Sequence, residues 1–187
     1  MLVIYGNCCS KKMKVNLGQP LNNMIGQPSV YARLEEYGIE FQYYEHPEAP
    51  TIEIASHFYR GEGTTLCKNL FFRNHKGNVH YLVIMDSRHD MDIHSMEKRL
   101  HQGKLSFASP QRMERFLGVK PGSVSLFNLV NDINHEVILF VDRTLTTAEK
   151  VSFHPNDNRA SLVISSPDMM SFIENIGNRY EVVDLYD

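Results

Sequence analysis

The feature that most constrains the fold is the run Thr65-Leu66-Cys67-Lys68-Asn69-Leu70-Phe71-Phe72. It is followed, after Lys76-Gly77-Asn78, by a second apolar run over 79–85. Aromatic and β-branched residues favour extended backbone, and a glycine within a short polar insert lets the chain reverse. The two runs therefore predict a β-hairpin, with strands at 66–73 and 79–85. A hairpin this apolar must be covered, so the rest of the chain has to supply packing for a sheet.

The other segments supply it. Helices are predicted at about 29–37, 52–58 and 92–101, and after Ser109-Pro110 and Ser166-Pro167, where a hydroxyl precedes a proline at the first helical position. Gly38, Gly103, Gly118 and Gly177 follow as stops. Short apolar runs at 39–44, 105–108, 135–141, 151–153, 162–164 and 180–184 read as strands. Residues 119–132 read as a loop with strand character, and 142–148 as a turn or short helix. Seven or eight strands and four or five helices, without strict βαβ alternation, give the α+β class: one mixed, curved sheet with flanking helices. Residues 1–23, with Lys11, Lys12 and Lys14 ahead of Gly18 and Pro20, read as a loose N-terminal arm. Residues 24–187 read as one domain.

Bulk properties mostly exclude. A length of 187 residues suits a single domain with a real core. The net charge of −3 argues against broad coating of nucleic acid, yet allows a small basic site that grips one RNA end. Three cysteines, two of them adjacent, suggest neither a disulfide framework nor a zinc site. No apolar run approaches the roughly 20 residues of a membrane helix. Leu2-Val3-Ile4-Tyr5 is too short for a signal peptide core. A cytoplasmic protein with no membrane contact is expected. Nucleophile-elbow, Walker and dinucleotide-binding motifs are missing. Asp86, His89, Asp90, Asp92 and His94 have metal-binding chemistry without a metal-binding spacing, and read as a solvated helix entrance. Neither a metal nor a cofactor is expected.

Three places have site chemistry. Lys68 and Asn69 sit side by side in an apolar strand, so they point to opposite faces, and one of them can address a pocket; a lysine guarding a sheet edge is the alternative. Cys67 beside them reads as a small core residue. The segment from Gly118 through Pro121, Gly122 and Ser123 to Ser125 is stiff and rich in exposed backbone N–H groups. Such groups hold an oxyanion or a phosphate, or simply connect a helix to a strand. His154 precedes Pro155 and is thereby held extended, at a site rim or in a surface turn.

In order along the chain, Tyr44-Glu45-His46-Pro47 with Thr51, Cys67-Lys68-Asn69-Leu70-Phe71, the run from Leu117 to Ser125, Asn131-Asp132 and Phe153-His154-Pro155 together resemble the YbaK/ProX family of aminoacyl-tRNA deacylases, closest to the free-standing prolyl-tRNA editing proteins. The resemblance covers about residues 30–184. It implies an α+β domain with a pocket for the aminoacylated 3′ end of tRNA. The implied activity is trans-editing, hydrolysis of the ester on mischarged tRNA for proline, with alanine as the amino acid removed. Alternatives are cysteine or another amino acid, or a non-catalytic module that binds aminoacyl-tRNA or a synthetase. Prolyl-tRNA synthetase is implied as a further partner.

The resemblance also implies roles. Lys68 and His154 fall on the family's catalytic positions. Lys68 would bring positive charge to the terminal phosphate or the ester, and His154 would orient the amino acid end, the ribose or the water. Asn69, Gly118, Pro121, Gly122 and Ser123 would bind substrate, with N–H groups near Gly122 and Ser123 holding the carbonyl oxygen. Ile54 and Leu66 would wall a small side-chain pocket. Where the family often has Ser-Pro-Phe, this chain has Ser125-Leu126-Phe127.

Overall fold

The computed structural model describes residues 2–5, 8–15, 24–58 and 60–186, the first two stretches as backbone alone. The expected hairpin is its centre. Strand β4 (Thr64–Asn74) pairs antiparallel with β5 (His80–Asp86), with Cys67 opposite Asp86 and Arg73 opposite His80. The Asn74 side chain accepts from the Asn78 and Val79 N–H groups, and Gly77 adopts the left-handed φ of 72° that the reversal requires.

Around this hairpin the remaining strands are β1 (Leu2–Tyr5), β2 (Cys8–Val15), β3 (Phe41–Glu45), β6 (Leu105–Phe107), β7 (Val137–Asp142), β8 (Lys150–Phe153), β9 (Ala160–Ser165) and β10 (Tyr180–Val183). All ten join one sheet in the order β1-β2-β3-β9-β8-β4-β5-β7-β10, with β6 paired to β4. The sheet is mixed: β4 runs parallel to β8, and β7 runs parallel to both β5 and β10. Eight of these strands, β3 to β10, belong to the expected domain. The other two lie in the segment expected to be a loose arm: β1 and β2 pair with each other, and β2 pairs with β3, Lys11 opposite Glu45. The rest of residues 1–23 lies outside the described residues.

Side-chain alternation along the central strands divides the core in two. Phe71, Leu82 and Ile84 join a cluster with Leu34, Phe127 and Phe172. Phe72, Tyr81, Val83 and Met85 join another with Met96, Leu100 and Phe140. The helices over these faces are α1 (Pro28–Glu36), α2 (Ile52–Ser56), α3 (Ile93–Leu100), α4 (Pro110–Leu117), α5 (Arg143–Thr147) and α6 (Ser166–Ile176). Helix α1 starts at Pro28, one residue before the expected start at 29, because proline's fixed φ suits the first helical position. Helix α6 is capped by Ser165, whose hydroxyl accepts from the Asp168 N–H and donates to the Asp168 carboxylate.

Residues 119–132 differ most from expectation. Leu126–Asn131 is a 3-10 helix opened by a reciprocal cap between Ser125 and Asn128. Local hydrogen bonding there overrides the strand-like apolar pattern. No helix among the described residues is long and apolar enough to cross a membrane.

Candidate active site

Strand β4 is longer than its partners on one edge. On the edge away from β5, β8 covers Thr64 to Leu66 and β6 covers Phe72 to Asn74. Between them the strand has no partner strand among the described residues. The Phe71 carbonyl accepts from the Ala108 N–H on this edge. Backbone groups alternate along a strand, so the peptide groups of Asn69 face the same gap. An unpaired edge inside a fold leaves polar backbone next to whatever fills the gap.

The gap is filled by a cavity of about 470 Å³. Its floor is Leu66 to Phe71. Ser152, Phe153 and His154 bound it at the end of β8, and Phe107 at the end of β6. Helix α2 contributes Ile52, Glu53 and Ala55, and the 121–124 loop contributes Pro121, Gly122 and Val124. Gly122 has φ +86°, and a Cβ there would lie 3.3 Å from the Pro50 carbonyl oxygen, so glycine lets the two loops close over the cavity.

Unsatisfied polarity is concentrated here. Among the described residues four buried side-chain polar atoms have no hydrogen-bond partner, and the Asn69 Oδ1, Ser152 Oγ and His154 Nδ1 are three of them, all on residues lining this cavity. Buried polar atoms are nearly always paired, so three orphans around one cavity leave hydrogen-bonding capacity for a polar guest or water to take up. Burial pushes the His154 imidazole down to about 4, with His46 and Arg60 adding repulsion, so at neutral pH it is an uncharged ring with donor and acceptor capacity. The Lys68 ammonium also borders the cavity and donates to the His89 carbonyl at 3.0 Å.

A second polar cluster closes one end. The Arg60 Nε donates to Ser161 Oγ at 2.9 Å, and the same oxygen lies 2.9 Å from His46 Nε2. The His46 Nδ1 lies 2.8 Å from the Pro47 carbonyl. A carbonyl only accepts, so Nδ1 carries the hydrogen, and Nε2 accepts from Ser161. Burial lowers the His46 pKa, consistent with this neutral tautomer. His46 stacks on Phe58 at 4.7 Å.

The structure thus brings Lys68, Asn69, His154, Leu66, Pro121 and Gly122 to one cavity. Gly118, Ser123 and Ile54 are not among its lining residues. Gly118 ends α4 at φ +67°, and its missing side chain leaves room for Asn131, whose amide would lie 2.9 Å from a Cβ there. The Ser123 N–H is spent on the Lys120 carbonyl in a turn, so the carbonyl-oxygen role is open to Gly122 alone of the two. Ile54 is 42% exposed; it lies about 200° around the helix from Ile52, whereas Ile52 and Ala55 share the cavity face. Cys67 is buried in the core cluster, and burial raises its thiol pKa well above the ordinary range.

The acidic and histidine run is dispersed. Asp86 pairs with Arg88 at 2.5 Å, Asp92 caps α3, and His89 stacks on Tyr186. Among the described residues no three His, Cys, Asp or Glu side chains are grouped to share a metal ion. Pattern reading missed Arg60, Ser152 and Ser161; no periodicity or motif distinguishes them from ordinary strand and loop residues.

Known proteins are similar to this chain. The prolyl-tRNA editing protein ProX of Acetoanaerobium sticklandii is 34% identical over 163 residues, covering 87% of this chain and 99% of that protein. The prolyl-tRNA synthetase associated domain-containing protein 1 of Bos taurus is 30% identical over 151 residues, covering 78% and 87%. A crystal structure described as a candidate trans-editing enzyme for prolyl-tRNA synthetase superposes with a TM-score of 0.61 at 20% identity, covering 84% of this chain and 98% of that one. The family model of the aminoacyl-tRNA editing domain matches residues 46–172, a span that holds every residue lining the cavity. Matched over more than half its length and over the whole of its cavity, the chain belongs to the aminoacyl-tRNA editing domain family.

Proposed function

We propose that this chain is a trans-editing deacylase that hydrolyses the ester of mischarged tRNA for proline, and that alanine is the amino acid removed. The observation that carries the reading is the set of three orphaned polar atoms around a cavity bordered by Lys68, in a chain 34% identical to a prolyl-tRNA editing protein. An aminoacyl ester supplies what they lack: an ammonium group, a carbonyl and ribose hydroxyls.

An ester is already activated, so positioning it beside a water and stabilising the oxyanion suffices without a covalent nucleophile. The buried Cys67, with its raised thiol pKa, is unsuited to nucleophilic attack. Lys68 offers the positive charge that steadies the developing oxyanion, and the Gly122 N–H is a second donor. The neutral His154 Nδ1 orients the water or the ribose. Asn69 Oδ1 and Ser152 Oγ accept from the substrate's ammonium. Leu66, Ile52 and Ala55 form apolar walls that suit a short side chain. Excluding proline by its bulk is the stronger part of the selectivity, since one methyl group is worth only about 1–3 kcal/mol. The synthetase-associated name of the bovine relative supports prolyl-tRNA synthetase as a partner.

The test is to incubate the protein with alanyl-, cysteinyl- and prolyl-tRNA for proline and follow loss of the ester. Alanyl-tRNA should be deacylated and prolyl-tRNA spared, with Lys68→Ala slower by about 100-fold or more. Survival of the alanyl ester, or full activity of Lys68→Ala, would defeat the reading.

A further inference from the structure

Arg60 is buried, with 6% of its surface exposed, and beyond its repulsion of a proton on His154 no role above uses its charge. Its Nε donates to Ser161, and its Nη1 donates to the Ala55 carbonyl at 2.5 Å and the Phe58 carbonyl at 2.7 Å. These are neutral acceptors. Among the described residues no carboxylate pairs with the guanidinium and Nη2 has no partner. Burial accordingly draws its pKa down to about 10, still charged at neutral pH. Burying a cation without a counter-charge costs several kcal/mol, and folds seldom carry such a group without a use.

Its position indicates the use. Arg60 and Leu66 line both the main cavity and a second one of about 660 Å³. Besides the apolar Phe58 and Leu66, the second cavity is lined by small and hydroxyl residues, among them Gly61, Gly63, Thr64 and Thr65, and by Arg88, which is ion-paired with Asp86. The ester occupies the main cavity on the proposed reading, and the anions its substrate carries are phosphodiesters. We propose that Arg60 is an anion anchor: its guanidinium holds the phosphate on the 5′ side of the terminal nucleotide, where the two cavities meet, while the preceding nucleotide lies in the second cavity. This rests on the deacylase reading and adds to it the group that grips the RNA end. The fixed Nε and Nη1 bonds aim Nη2 in advance, so little order is lost when the phosphate arrives.

The experiment compares two minimal esters, alanyl-adenosine and the alanyl ester of cytidylyl-adenosine, which differ by the phosphate and the preceding nucleoside. Wild type should show a KM at least about tenfold lower for the phosphate-bearing ester, the value of one charge-assisted hydrogen bond. Arg60→Gln should lose that advantage, its KM values for the two esters becoming equal, and Arg60→Lys should recover part of it. An equal loss on both esters would mean that Arg60 only supports α2, and would overturn the proposal. So would a wild type indifferent to the phosphate. Should Arg60→Gln fail to fold, calorimetric titration of wild type and Arg60→Lys with adenosine 5′-monophosphate and with adenosine decides: only wild type should bind the monophosphate at least about tenfold more tightly. Nucleotide binding that depends on Arg60, without ester hydrolysis, would count against the deacylase reading alone.

Discussion

Acidification should unfold this protein in a way that traces to His154. Its pKa falls from an ordinary 6.5 to about 4 on folding, through burial first. The folded form therefore refuses a proton that the unfolded chain accepts. Stability from this group is complete above pH 6.5 and is lost as the pH drops toward 4. Integrating the linkage between pH 7.5 and pH 5 gives a loss of about 2 kcal/mol from this side chain. His46 and His80, also shifted down, add losses of the same sign. His80 sits at about 4 beneath Arg112, whose Nη1 lies 2.6 Å from the imidazole Nε2. Carboxylates with lowered pKa values, such as Asp86 and Asp157, lose their contribution only below about pH 4, outside this window. The assay is urea unfolding followed by circular dichroism, since the chain has no tryptophan. It is run on wild type and His154→Gln at both pH values. The variant should fall less steeply than wild type by about 2 kcal/mol, the His154 share. If both fall equally, the imidazole is not held neutral, and the account of its buried, unpartnered Nδ1 fails with it.

Two further outcomes are expected. Gly26→Ala would put a Cβ 2.7 Å from the Pro155 ring and 2.9 Å from its carbonyl oxygen, at φ +132°; it should destabilise by about 1–3 kcal/mol and, by displacing the neighbour of His154, lower kcat, as thermal melts and single-turnover deacylation would reveal. Cys67 should resist iodoacetamide at pH 8 in the native protein and react once unfolded, as read by peptide mass mapping; native labelling at the unfolded rate would contradict its burial.

What the sequence makes legible is what local physics encodes. The β4–β5 hairpin follows from its apolar runs and the Lys76-Gly77-Asn78 turn, and α4 from Ser109-Pro110 and Gly118. The sheet order is not local: β3 meets β9, and β5 meets β7, through pairings that no spacing announces. The same division runs through the site. Lys68 and Asn69 stand out because polar side chains interrupt an apolar strand. Gly118 stands out as well but ends α4 and does not line the cavity, since a glycine that ends a helix and one that admits a ligand look alike in a sequence.

Arg60 leaves no trace at all. An arginine before a glycine reads as a solvated loop, and only the tertiary structure shows it buried, held by Ser161 from β9 and by two carbonyls of the α2 segment. A group of this kind is where function is least legible and most informative. Elements such as the hairpin are stabilised by their own residues, so their purpose can be structural. A buried cation without a counter-charge among the described residues weakens the fold that holds it, and on the proposed reading the phosphate of the RNA end supplies the compensation.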